Sequence, residues 1–265
     1  MLTVSLTLLA LLATTAGPAS GAWDGRNSIW RQGAFVTQYT DFSCVGATIQ
    51  IMLNLIDRSA DHSRKNQFGY LDFAKEESKY PVTDLGADPQ GWANALIRFG
   101  AGDDYGWTTA LTMQGSLRTA ARQMRETNKP VGLLVHRGRH AWVMTGFEAT
   151  ADPATTDEFD VTAAEVVGPL WPHGTLNGRP FDPGPQTWMT TEVLSRKFDP
   201  YAEPNQALWS GRWVTIVPRV SEAANEIPQR PPAELLPDLN SAFGWMWVFN
   251  RLAVQSATRD LLWLP

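Results

Sequence analysis

Residues 38–57 read QYTDFSCVGATIQIMLNLID, and the reading of this stretch decides how the rest of the chain is understood. Val45, Ile49, Met52, Leu53 and Ile56 recur at helical spacing, which predicts an amphipathic helix of about Cys44 to Asp57. Ser43 or Asp41 is placed to accept the orphan N–H groups at its start, and Gly46 in the first turn is a mild fault in the pattern. Cys44, the only cysteine of the chain, opens this helix. A lone cysteine cannot be half of an internal disulfide, so its thiol needs another account. Free cysteines are often small buried hydrophobes that only fill space. At a helix N-terminus with an imidazole in reach, the same thiol becomes a thiolate nucleophile.

Around this helix the pattern predicts α+β. Ala34 to Gln38 reads as a short lead-in strand, and Asp61 to Gln67, with a solvated His62, as a polar loop. Pro89 to Phe99 carries Trp92, Leu96 and Phe99 on one helical stripe and stops at Gly100. Gly115 to Thr127 carries Leu117, Ala120, Ala121 and Met124, and ends before Pro130. Apolar runs then predict strands at Val131 to Val135, His140 to Phe147, Ala163 to Val167 and Trp213 to Val217, with Trp188 to Phe198 helical. Helices first and antiparallel-type strands afterwards argue for α+β, with N-terminal helices packed on an antiparallel sheet.

The ends read differently. Residues 1–22 combine the apolar run Leu2 to Ala16 with the small residues Ala19 to Ala22, the pattern of a secretory signal, although no Lys or Arg precedes the run. The expectation is an exported, extracellular protein of one domain over residues 23–218, with no membrane span beyond the signal. Residues 219–237, with Pro228, Pro231, Pro232 and Pro237, read as an extended linker. Residues 238–265, with Phe243, Trp247 and Trp263, read as an aromatic-rich helical appendage that packs back on the domain or meets a partner. Twelve tryptophans and 43% hydrophobic residues argue for a real core. A net charge of −5 without a dense Lys/Arg cluster argues against nucleic acid as a partner.

Three residues make up the candidate catalytic set. Cys44 gains thiolate stability from the helix dipole and unpaired backbone N–H groups. His140, at the edge of a strand, pairs with the thiolate and later protonates a leaving amine. Gln38, six residues before the cysteine, donates its amide to an oxyanion together with the Cys44 backbone N–H. Taken singly, His140 reads as a structural histidine and Gln38 says nothing; the case rests on their order and combination.

The segment Gln38-Tyr-Thr-Asp-Phe-Ser-Cys44-Val-Gly-Ala-Thr48, followed by an apolar helix, resembles the catalytic-cysteine region of papain-like cysteine peptidases, more narrowly the bacteriocin-processing (double-glycine leader peptidase) type and its secreted relatives. Lys129-Pro130-Val131, a strand, a turn and then His140-Ala-Trp-Val-Met-Thr-Gly146 follow in the same order as in those relatives. The likeness runs from about Ala34 to Val217, roughly two-thirds of the chain. It implies a papain-like fold with Cys44 as nucleophile, His140 as acid/base and Gln38 as oxyanion donor, acting on a peptide or protein substrate without a cofactor. It also implies an Asp or Asn before Pro at the end of the next strand, to orient the histidine. Here that strand ends in Gly168-Pro169, so the expected side chain is missing. Either another acid, such as Asp160 or Asp182, fills the space, or the site works as a Cys–His dyad, or the chain binds peptide without cutting it.

Other candidates are weaker. His136 and His140 are four apart, but Gly138 between them predicts strand–turn–strand, so His136 reads as a turn residue, or as a rival base if the register is displaced. Asp103-Asp104 in a glycine-bearing loop reads as a turn rather than a calcium site. Neither a phosphate-cradling glycine loop nor Gly-x-Ser-x-Gly occurs. The sequence therefore predicts a secreted cysteine hydrolase acting through a Cys44 thioester. The alternatives are a non-catalytic peptide-binding module on the same fold and a peptidyl or acyl transferase.

Overall fold

A computed structural model of the chain describes residues 23–80, 86–102, 104–176, 179–203 and 205–218. The expected signal segment, the Pro-rich linker and the aromatic appendage lie outside the described residues. Within them, helix and antiparallel sheet combine as α+β. The elements in order are β1 (Arg26–Ser28), α1 (Cys44–Asp57), α2 (Arg64–Glu76), α3 (Pro89–Leu96), β2 (Tyr105–Ala110), α4 (Met113–Thr127), β3 (Val131–Val135), β4 (His140–Ala149), β5 (Val161–Val167), the two-residue strands β6 (Thr175–Leu176) and β7 (Arg179–Pro180), β8 (Thr187–Thr190), α5 (Thr191–Leu194) and β9 (Trp213–Pro218). The main sheet runs β2-β9-β3-β4-β5-β8, every pairing antiparallel, and β1 continues the β3 edge along β4. No helix among the described residues is long and apolar enough to cross a membrane.

Alternation along the strands sends side chains to two cores. Leu134, Ala141, Val143, Val214 and Ile216 face α1 and α3, with Trp92 and Trp209 fully buried among them. Val131, Leu133, Val135, Trp142, Met144 and Phe147 face α4 and α5. Helix α1 runs through the centre, buried from Cys44 to Leu55. Its apolar side meets the sheet, while its buried polar residues Gln50 and Asn54 turn to α2 and the preceding loops. Burial of those amides is tolerable because the oxygen and the nitrogen of each are hydrogen-bonded.

Three local expectations are corrected. Ala34 to Gln38 is not a strand: its carbonyls are taken by side chains, Asn54 Nδ2 donating to Ala34 (3.2 Å) and Gln67 Nε2 to Thr37 (3.1 Å). The polar run from Arg64 is helical, because Ser63 caps it by accepting from the Asn66 N–H (3.3 Å), and Leu71 and Ala74 reach the core with Tyr70 and Phe73 packed against it. Trp188 to Phe198 is not one helix: Trp188 pairs with Glu165 in the sheet, and a single helical turn follows, capped by Thr190. Strands β1 and β2 have no counterpart in the sequence reading. The helix ending at Gly100 does stop there, through a widened π turn in which Gly100 takes φ +122°, a value glycine adopts without strain.

Candidate functional site

The β3–β4 hairpin pairs Val135 with His140, which sets the histidine at the end of the sheet where the N-terminus of α1 arrives. Both Cys44 (7% exposed) and His140 (9% exposed) line a cleft of about 660 Å³, walled by Tyr80, Asp88, Leu134, Tyr201 and Gln206. The α1 start differs from expectation in one respect that matters. No side chain caps it: Ser43 Oγ instead accepts from the Thr40 N–H (3.1 Å), and Asp41 does not bind the helix start. The first-turn N–H groups are therefore left to the nucleophile and to whatever it attacks.

His140 Nε2 lies 3.0 Å from Asp182 Oδ1 and 2.8 Å from Oδ2. That leaves Nδ1 free on the side of the Cys44 thiol, which lines the same cleft. Burial alone would pull His140 down. Its hydrogen bonds to Asp182 and Cys44, and the charges of both, push it the other way, to about 10. The histidine is thus held as an imidazolium at neutral pH, the protonation state a thiolate–imidazolium pair requires.

Asp182 is the acid that the strand end lacks. Its side chain is fully buried and takes two further donors, Trp142 Nε1 on Oδ1 (2.8 Å) and the Leu170 N–H on Oδ2 (2.7 Å). The substitution is spatial: a Cβ built on Gly168 would lie inside the Asp182 carboxyl group. Glycine at the strand end makes room for a carboxylate arriving from the β7–β8 loop. Asp160, the other acid considered, pairs instead with Arg118 of α4 at the surface (2.7 Å). Trp142 was missed by sequence reasoning, yet a signal existed: His-x-Trp on a strand puts both side chains on one face.

Gln38 is buried beside this site but does not line the cleft. Its Nε2 donates to the Thr40 carbonyl (2.7 Å), which uses one of two amide protons, and its Oε1 has no partner. Its backbone N–H donates to the Pro169 carbonyl (2.7 Å), next to the residues that hold Asp182.

His136 is the turn residue expected, at φ +52°. Its ring stacks on Phe181 at 4.7 Å and stands 6.1 Å from His140. Burial, then Lys197 and His140, lower its pKa to about 4, so it stays neutral and does not compete for the proton. His62 lies 3.2 Å from the Gly33 carbonyl. Asp104 pairs with Lys129 (3.0 Å); Asp103 lies outside the described residues. Comparison of the chain with protein-family models, curated proteins and solved structures finds no match.

Proposed function

We propose that this chain is a cysteine hydrolase with a papain-like arrangement, cleaving a peptide or related amide bond through a thioester on Cys44. One observation carries the reading: the buried His140–Asp182 pair and Cys44 at the start of α1 open together on one cleft. In the first half-reaction the thiolate attacks the carbonyl carbon, forming the C–S bond. The oxyanion is met by the Cys44 N–H; for the Gln38 amide to join it, its Nε2 must turn from the Thr40 carbonyl towards the cleft. The C–N bond then breaks, and the amine leaves with the proton from His140. In the second, water gives its proton to His140 and attacks the thioester, releasing the acid and the thiol. Asp182 fixes the ring so that Nδ1 faces sulfur throughout. A transferase would differ only in admitting an amine where water enters. Export to the cell exterior belongs to the same proposal, resting on the N-terminal sequence alone.

The test is the rate of Cys44 alkylation by iodoacetamide between about pH 4 and 10, in wild type and in His140→Ala. Fast labelling below pH 7 that requires His140 supports the reading. Labelling that follows an ordinary thiol near pH 8.5 retires it in favour of a non-catalytic module. Cys44→Ala removes all hydrolysis and, above about pH 10 where His140 no longer holds its extra proton, leaves the thermal transition nearly unchanged; a large fall there identifies the thiol as core packing instead.

A further inference from the structure

Behind the nucleophile, one fully buried side chain ties down the loop that leads into it. Gln67, on the first turn of α2, has all four of its hydrogen-bonding directions engaged. Its Oε1 accepts from the Tyr39 N–H (2.9 Å) and stands 3.3 Å from Ser43 Oγ. Its Nε2 donates to the Thr37 carbonyl (3.1 Å) and to Gln50 Oε1 (3.1 Å). Thr37 and Tyr39 flank Gln38, and Ser43 immediately precedes Cys44. Gln50 in turn is fixed by donating to Asp61 Oδ2 (3.0 Å) and the Ser63 carbonyl (3.2 Å). Both amides of this buried network have a protein partner at the oxygen and at the nitrogen.

We infer that Gln67 is a positioning residue for the oxyanion site: it clamps both neighbours of Gln38, and so sets where the Gln38 amide sits relative to the first turn of α1. The inference rests on the reading of Cys44 as nucleophile and Gln38 as oxyanion donor. It goes beyond that reading in assigning a function to a residue that touches neither substrate nor reacting atoms. Gln67 has no hydrogen bond to His140 or Asp182, so its loss is expected to bear on reactions that pass through an oxyanion.

Two electrophiles at the same sulfur separate these cases. p-Nitrophenyl acetate acylates Cys44 through a tetrahedral oxyanion, whereas iodoacetamide alkylates it by direct displacement and needs no oxyanion site. Gln67→Glu keeps the size and the acceptor for the Tyr39 N–H. Its second oxygen, however, faces the Thr37 and Gln50 carbonyl oxygens, acceptor against acceptor. The expected result is a loss of about tenfold to a hundredfold in the acylation burst, with the alkylation rate and its pH profile held within about twofold. Gln67→Met, which removes the hydrogen bonds without burying a charge, should show the same split and keeps the test open if the carboxylate prevents folding. On a Gln38→Ala background neither substitution should cost anything more. Parallel loss in both reactions, or none in either, overturns the role of Gln67. Wild type that alkylates only as an ordinary thiol, by contrast, removes the hydrolase reading itself.

Discussion

Asp182 reaches His140 only because Gly168 has no side chain, so one acid and one glycine form a single device. Replacing the acid tests its role directly. Asp182→Ala strands the Trp142 and Leu170 donors as well as the imidazole, and should lower kcat by about 10²–10⁴. Asp182→Asn keeps the size and one acceptor oxygen and should lose less, and steady-state kinetics of the two variants ranks them. Gly168→Ala must push the carboxyl aside and should resemble Asp182→Ala in kcat, although it alters no polar atom. Unchanged kcat in Gly168→Ala would show that the carboxylate position is not what orients the ring. At this scale the sequence disclosed Cys44 and His140, because an isolated cysteine at a helix start and a histidine opening a strand are local patterns. It left open whether an acid is present at all and, if so, whether it is Asp160 or Asp182. That choice depends on which loop folds over the strand end, and nothing local to either aspartate records it.

At the scale of elements, α1 and α2 pack so closely that a glycine stands between them. A Cβ on Gly46 would lie 2.5 Å from the Gln67 carbonyl oxygen and 3.0 Å from Leu71 Cβ. The residue that looked like a flaw in a helix pattern is the point of closest approach between two helices. Gly46→Ala should therefore destabilise by about 1–3 kcal/mol despite its better helix propensity, a fall of about 2–4 °C in Tm per kcal/mol. Gly69, on the exposed side of α2 with open space around it, is the control. Gly69→Ala should be neutral or stabilising by up to about 1 kcal/mol. Thermal melts of both decide the point, and equal effects would refute the close-packing account. The same packing explains which elements were legible. Helix α1 and strands β3, β4 and β9 are so buried that periodicity or unbroken apolar runs mark them. Helix α2 buries only Gln67, Leu71 and Ala74, too few for a stripe, and its strongest local signal, the Ser63 cap, is a single residue. The lead-in segment failed for the converse reason: its alternation is real, but side chains and loop carbonyls rather than a neighbouring strand take its backbone groups.

The whole molecule balances two histidines with opposite preferences across the one hairpin turn. His140 is raised to about 10, so the folded state holds its proton more tightly than the unfolded chain does. That contribution to stability is present in full below the ordinary histidine value of about 6.5 and is lost as pH rises through about 10. His136 is lowered to about 4, so the folded state resists its protonation. Its contribution is present above about 6.5 and is lost as pH falls through about 4. Together they place the maximum contribution from these groups near pH 6.5, with an acid limb belonging to His136 and an alkaline limb belonging to His140. Denaturant melts across pH should show both limbs. His136→Phe, which preserves a ring against Phe181, should flatten the acid limb between pH 4 and 6.5 and leave the alkaline one. Cys44→Ala, which takes away one of the two partners holding the His140 proton, should shrink the alkaline limb and leave the acid one. If His136→Phe alters the alkaline limb instead, the two imidazoles share a titration, and the separation of an ionised histidine from its neutral neighbour does not hold.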